Sequence, residues 1–362
     1  MLAVVSRKLP SQNLMLRTTL FRMIRFAVIG ITHGHIYGQV QCLLEAGAKL
    51  VGWHSYPHEE DARAAFAHAF PDVPRFDDEA ALLEDVSIHM IVTSTVPADR
   101  APLGIRAMRC GKDFMTDKPG FTTLEQLREA RRVQAETGRI YSICYSERFE
   151  NRSTTHAVDL VRSGAIGTVL QTIGLGPHRG NLSTRLPYFF QRQRYGGILC
   201  DIGSHQFDQF LTFTGSTSAE VVASQVGNLA HPQHPELEDF GDALLRGNNG
   251  SGYLRVDWFT PDGLPVWGDG RLTVLGTEGY IELRKYVDIE GRQGANHLFL
   301  VNGKGTQYIN CDHIPLPYGS ALVQDVLDRS ETAMSQGHCF LVSELALQAQ
   351  ARATMLRGRT TI

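Results

Sequence analysis

From residue 23 to residue 145 short apolar runs alternate with segments of helical length. The runs are 24–29, which leads straight into Gly30, then 49–53, 88–92, 112–115 and 140–145. The helical segments between them run from about 35 to 46, 59 to 70, 80 to 86, 98 to 110 and 123 to 138, with Gly47, Gly111 and Gly138 as stops. A short apolar run bounded by turn residues reads as a buried strand. Strands alternating with helices require right-handed crossovers and a parallel sheet. Residues 23–148 are therefore expected to form a doubly wound α/β domain. One helix start is marked by a capping box, Thr123 followed three residues later by Gln126.

Beyond residue 150 the texture changes. A helix over 153–162 ends at Gly164, and strands then dominate. Three pairs of strands, 242–246 with 252–258, 272–275 with 280–284 and 297–301 with 307–311, flank short glycine-containing turns. Helices return at 321–333 and 343–356. This predicts an α+β domain over 149–362, a mostly antiparallel sheet with helices on one face. Residues 1–22 carry Arg7, Lys8, Arg17 and Arg22, and no acid precedes Glu45. Their composition suits a transit peptide, but a disordered or artefactual extension ahead of a natural start at Met23 is the preferred expectation.

A net charge of −3 on 362 residues offers no electrostatic case for nucleic acid or an anionic membrane, and no apolar run is long enough for a membrane span. The six cysteines contain no C-x-x-C pair. Buried free thiols and a cytoplasmic location are expected.

Ligands of doubly wound sheets sit beyond the carboxyl ends of the strands. The first such loop reads Gly30-Ile31-Thr32-His33-Gly34-His35. A dinucleotide fingerprint has glycine at the first, third and sixth positions. Only Gly30 complies; Thr32 and His35 hold the other two. The helix start still offers free N–H groups to a pyrophosphate, Gly34 restores some close approach, and Thr32 carries a hydroxyl. A plain turn explains the loop equally well. The second strand ends His54-Ser55-Tyr56, with no acid before Glu59. His54 and Ser55 are candidates for the adenosine end of a dinucleotide, and the choice between NAD and NADP stays open. After the strand at 88–92, Thr95 and Pro97 are candidates for nicotinamide or ribose. Asp117-Lys118-Pro119 closes the strand at 112–115, so Lys118 points to the same crevice, and the Lys118–Pro119 bond is a candidate cis bond. A lysine in a partly desolvated cleft can share protons near neutrality.

A second stretch reads Gly196-Gly197-Ile198-Leu199-Cys200-Asp201-Ile202-Gly203-Ser204-His205. It leads into a helix from about 204 to 214. Asp201 and His205 share a face if helical geometry extends back to Asp201. Asp201 has an alternative as the helix cap, and His205 as a core histidine beside Phe207, Phe210 and Phe213. His178 and Arg179 end a strand just before this stretch. Arg194 and Tyr195 lie in a loop rich in arginine and aromatics, and all four are candidate substrate contacts. His178, Asp201 and His205 have the ligand types of a zinc site, but neighbouring Lys118 would repel the cation, so no metal is expected.

Gly-Gly-x-Leu-x-Asp-x-Gly-x-His, preceded by a strand-end Lys-Pro, resembles the glucose–fructose oxidoreductase/inositol dehydrogenase (Gfo/Idh/MocA) family. The similarity covers nearly all of the chain from Met23 onward, including Ala107-Met108-Arg109-Cys110-Gly111-Lys112 and residues 145–149. The resemblance implies a Rossmann domain joined to an open-faced sheet domain that binds substrate and oligomerises. NAD or NADP would be the cofactor, held by Gly30, Thr32, His33, Gly34, His35, His54, Ser55, Thr95, Pro97, Asp117 and Lys118. It further implies Lys118, Asp201 and His205 as catalytic residues that also touch substrate, with His205 the acid/base and Lys118 on the reacting oxygen. Asp117 stands where the family usually has Glu, and Arg100 where it often has His.

The expected function is hydride transfer between nicotinamide and a secondary alcohol of a sugar, inositol or related polyol. A redox-assisted lyase or glycoside-cleaving enzyme, and a non-catalytic dinucleotide sensor, are the alternatives. The open sheet implies a homodimer or homotetramer.

Overall fold

The computed structural model describes residues 23–357. The basic extension expected at 1–22 lies outside the described residues. Five strands form the first sheet: β1 (Arg25–Ile29), β2 (Lys49–His54), β3 (Met90–Thr93), β4 (Asp113–Asp117) and β5 (Tyr141–Cys144). Their order is β2-β1-β3-β4-β5 and every pairing is parallel. Strand order reverses between β1 and β3, which opens the crevice where such sheets take ligands. The crossovers are α1 (Ile36–Glu45), α2 (Glu60–Ala69), α3 (Glu79–Glu84), α4 (Pro97–Arg109) and α5 (Leu124–Thr137). Half of the expected capping box forms on α5. The Thr123 hydroxyl accepts the Gln126 N–H at 3.1 Å, while the Gln126 amide oxygen takes the N–H of Thr122.

The chain then runs through α6 (Ser146–Phe149), α7 (Arg152–Arg162), β6 (Val169–Pro177), α8 (Arg192–Tyr195), α9 (Ile198–Asp201) and α10 (Gly203–Thr214). Strands β7 (Ala219–Asn228), β8 (Phe240–Gly247), β9 (Gly250–Asp257), β10 (Arg271–Gly276), β11 (Gly279–Arg284), β12 (His297–Asn302) and β13 (Gly305–Asn310) follow. Last come α11 (Tyr318–Asp328), α12 (Gln336–Arg352) and β14 (Thr354–Arg357). The second sheet has nine strands in the order β13-β12-β11-β10-β6-β9-β8-β7-β14, antiparallel except for β6–β9 and β7–β14. The three expected hairpins are β8–β9, β10–β11 and β12–β13.

The C-terminal helices differ from expectation. The helix expected at 321–333 is Tyr318–Asp328; Arg329 turns left-handed at φ 58° and ends it. The Asp325 carboxylate then gathers the N–H groups of Thr332 and Ala333 and the hydroxyls of Ser330 and Thr332, which fixes 330–333 as a loop. The helix expected at 343–356 begins earlier, capped by Ser335, and gives way to β14.

Helices α9, α10 and α12 cover one face of the second sheet, and one apolar cluster runs through both halves, from Phe26 and Val28 by Phe121, Tyr141 and Phe340 to Leu199 and Leu254. Burying each such side chain stabilises the fold by about 1.5–3 kcal/mol. The opposite face exposes Ile173, Leu244, Leu275, Tyr280 and Tyr308. All six cysteines are free thiols, and no helix among the described residues is long and apolar enough to cross a membrane.

Candidate active site

The crevice at the carboxyl ends of β1, β3 and β4 meets the loops that follow β6 and α9, enclosing a cavity of about 250 Å³. Gly30 closes β1 at φ 82°, and a Cβ there would lie 2.6 Å from the Cβ of Thr95. Its N–H bonds the carbonyl of His54. In the following loop the N–H groups of Thr32 and Gly34 find no acceptor among the described residues. Ile31 and Thr32 are tied instead to a buried carboxylate: Glu59 Oε1 accepts the Ile31 N–H at 2.7 Å and the Thr32 hydroxyl, and Oε2 accepts the Tyr56 N–H at 2.7 Å. Glu59 therefore pins this loop from within. Thr95 has its hydroxyl sealed and unpaired, and Pro97, the first residue of α4, lines the cavity.

His54 and Ser55 are turned away from the cavity. His54 Nδ1 bonds the carbonyl of Phe76 at 3.0 Å, and the Ser55 hydroxyl takes the Arg63 Nε–H at 3.1 Å.

At the end of β4 Asp117 is buried against Arg100, whose Nη2 is 3.2 Å away, and against His35, whose Nδ1 is 2.9 Å away. Burial alone would push its carboxyl up; His35 and Arg100 outweigh that and hold it well below the usual range. His33 stands beside them, driven well below its ordinary pKa first by burial and then by His35. The ligand-type atoms of His33, His35 and Asp117 lie within 4.8 Å of one another. Asp117 is already paired with Arg100 and His35, and we assign no metal to this set.

Lys118 follows, through a cis bond to Pro119, and its Nζ donates to Asp201 Oδ1 at 2.8 Å. Asp201 closes α9. It does not cap α10, and the near-continuous helical backbone through Ile202 brings Asp201 and His205 onto the cavity wall together. The turn before α9 requires glycine: Gly196 and Gly197 have φ of 91° and 94°, and added Cβ atoms would strike Thr122 and Gln350. Burial favours a neutral Asp201, but the Lys118 ammonium overrides it and keeps the carboxyl below its usual value.

His205 is 2% exposed, its Nδ1 is sealed without a partner, and the Tyr145 ring stands edge-on to it at 6.4 Å. Burial pushes its pKa down to about 3, against the opposing pull of Glu147. Behind it lies a buried group not foreseen from sequence. Lys285 Nζ donates to Glu147 Oε2 at 2.8 Å and to Gln209, and Gln206 Nε2 donates to the same Glu147 oxygen. The other oxygen, Glu147 Oε1, has no partner. Glu147 and Lys285 are 138 residues apart, each reads as a surface charge, and no local signal joins them.

Among the candidate substrate contacts, His178 and Arg179 line the cavity. His178 donates from Nδ1 to the Gly176 carbonyl at 3.1 Å, and burial lowers its pKa to about 4. Tyr195 presents its ring to the cavity, but its hydroxyl is turned away to the Glu236 carbonyl and the Glu238 N–H. Arg194 is outside the cavity, locked by two hydrogen bonds to Asp99 of α4. Arg185, Tyr188, Phe189, Trp258 and Trp267 complete the wall. The two tryptophans follow β9, the parallel neighbour of β6, a pairing invisible before the sheet order is known.

This is a dinucleotide-type crevice with an amine, a carboxylate and an imidazole at its mouth. Residues 24–145 match the oxidoreductase family with an NAD-binding Rossmann fold, and residues 154–282 match the GFO/IDH/MocA C-terminal domain. The chain belongs to the Gfo/Idh/MocA oxidoreductase family, whose cofactor is NAD or NADP. It is similar to a crystal structure from Erwinia carotovora atroseptica, at 50% identity and a TM-score of 0.89 over 92% of this chain and 100% of the other. It also resembles scyllo-inositol 2-dehydrogenase (NAD(+)) of Bacillus subtilis, 24% identical over 64% of each chain. Levoglucosan dehydrogenase, solved in complex with NADH and levoglucosan, shares the fold at 16% identity, with a TM-score of 0.72 over 91% of this chain and 97% of that one. The chain covers 47% and 64% of the length of two curated relatives it matches.

The residues present fit a dinucleotide. Two unpaired N–H groups precede α1, and the orphaned Thr95 hydroxyl lies against Gly30.

Proposed function

We propose that this protein is an NAD(P)-dependent dehydrogenase acting on a secondary alcohol of a sugar or related polyol. The observation that carries the reading is the junction of Lys118, Asp201 and His205 in one cavity that His33 and His35 of the glycine loop also line. The nicotinamide, when bound, supplies the hydride acceptor. Gly30, Thr32, Gly34, Thr95 and Pro97 would hold it.

The chain's own groups handle the proton. His205 is neutral at pH 7, so it can accept the hydroxyl proton as the carbon loses hydride and becomes a ketone. Lys118 donates to the oxygen as negative charge builds there, and Asp201 fixes the amine in place at 2.8 Å. Glu147, charged and buried behind His205, favours the imidazolium formed in the step. The exposed apolar face of the second sheet supports a homo-oligomer in which a second copy covers it.

The test is nicotinamide absorbance with a panel of sugars and polyols, in the wild type and in Lys118→Ala and His205→Ala. Each variant is expected to lose on the order of 100- to 10,000-fold in kcat while still binding the dinucleotide. Near-wild-type turnover in both would overturn the assignment.

A further inference from the structure

The cavity is lined by four basic side chains, Arg100, Lys118, Arg179 and Arg185, and two carboxylates, Asp117 and Asp201. The carboxylates are already taken, Asp117 by Arg100 and Asp201 by Lys118. Two guanidiniums remain at the aromatic end, on the loop that follows β6.

Arg185 donates from Nε to the Gly180 carbonyl at 2.9 Å and from Nη2 to the Arg179 carbonyl at 3.5 Å. Both acceptors are neutral. Its guanidinium carbon lies 4.5 Å from the centre of the Phe189 ring and 4.9 Å from that of Trp258. Burial lowers its pKa, opposed by the Asp201 carboxylate across the cavity. Arg179 donates from Nη2 to the carbonyls of Pro261, Asp262 and Leu264, and its Nε makes no hydrogen bond but faces the Asp262 carboxylate. Its one acidic neighbour, Asp262, lies 3.5 Å away and is fully exposed to water, where such a contact is worth little. The histidines His33, His178 and His205 are all held neutral and add no charge. One end of the cavity therefore handles a proton, and the other presents two guanidiniums, bonded mainly to neutral carbonyls, beside Trp258, Trp267 and Phe189.

We propose that the substrate is a polyhydroxy carboxylate, an aldonic or uronic acid. Its carboxylate binds Arg185 and Arg179, its C–H face stacks on Trp258 and Trp267, and its reacting hydroxyl meets Lys118 and His205. This rests on the dehydrogenase reading and narrows it. A planar guanidinium fork matches a carboxylate with two parallel hydrogen bonds, and aromatic faces suit sugar C–H surfaces. The reaction stays balanced: an oxidised nicotinamide, when bound, would take the hydride, the proton passes to His205, and the carboxylate takes no part.

Three sets of compounds separate the cases: aldonates and uronates, the matching neutral aldoses and inositols, and sugar phosphates. With wild-type protein, kcat/KM for at least one acid is expected to exceed that for its neutral counterpart by about tenfold or more, the value of one good ion pair at 1.4 kcal/mol. Arg185→Met keeps the apolar stack on Phe189 and removes the charge. It is expected to raise KM for the acid about tenfold, with a smaller change in kcat, and to erase the preference. Arg185→Lys should restore part of it. Equal or better use of the neutral compound, a preference for sugar phosphates, or an unchanged acid preference in Arg185→Met would each overturn the proposal. Quenching of tryptophan fluorescence reads binding separately from turnover. An acid that quenches saturably in the wild type but not in Arg185→Met, with no nicotinamide reduced, would keep this inference and remove the dehydrogenase. No saturable binding of any acid would remove this inference alone.

Discussion

Gly30 meets the Thr95 side chain with no room for a methyl group, and its backbone is left-handed at φ 82°. Gly30→Ala is expected to cost at least about 1–2 kcal/mol from the backbone alone and to weaken dinucleotide binding; urea titration and cofactor fluorescence measure the two effects. Lys285, fully buried on Glu147, makes a sharper case. Lys285→Met leaves Glu147 charged and unpaired, with an expected loss of about 3–5 kcal/mol. Adding Glu147→Leu should recover much of that stability while lowering kcat, because the charge behind His205 is gone. A double variant no more stable than the single one would contradict the pairing. At this scale the sequence exposes a group only when a local rule marks it. Gly30 was legible as the end of a strand, and Lys118 as the residue at a strand's ligand edge. Asp201 and His205 were legible through their spacing and their resemblance to a family pattern. Glu147, Arg185, Trp258 and Trp267 matter through partners that only the fold supplies.

Elements were legible where one face is apolar and the other wet. The three hairpins fit that rule, whereas the parallel strands of the first half are buried on both faces and were legible as short apolar runs. Helix α12 breaks it: Gln336, Cys339, Phe340, Val342, Leu345 and Leu347 are all buried, so no stripe marks its start. The reliable sign was Ser335, whose hydroxyl accepts the His338 N–H at 3.1 Å. Strand β14 was missed because its pairing with β7 joins residues more than a hundred positions apart, and its own residues are mostly exposed. The cap on α5 is simple enough to test. Thr123→Ala removes the acceptor of the Gln126 N–H and is expected to cost about 1 kcal/mol, read as a shift in the urea midpoint without a change in turnover.

At the scale of the molecule, acid should act through buried neutral histidines. The unfolded imidazole titrates near 6.5, while His205 titrates at about 3 in the fold. Below pH 6.5 the unfolded chain binds the proton that the folded one refuses, so stability falls as pH falls toward 3. At pH 5 the loss from His205 is about 2 kcal/mol, and His178, at about 4, adds in the same direction. Unfolding midpoints between pH 7 and 5 should therefore drop, and His205→Phe should flatten the drop; a slope unchanged by that variant would contradict the burial argument. The open sheet face gives a second expectation. Light scattering should report a dimer or tetramer, and Leu244→Glu with Leu275→Glu should shift it toward monomer.

The return of α11 and α12 to the first half has a consequence for how the chain is made. Tyr141 in β5 stacks on Phe121 and meets Phe340 at a tilt, its N–H bonds Gln336, and Ser142 bonds the hydroxyl of Tyr318. Arg329 clamps Asp113 of β4 with two hydrogen bonds. A ribosome delivers the parallel sheet long before it delivers these covers. The nascent first half therefore has no cover for this apolar flank until the last helices emerge and dock.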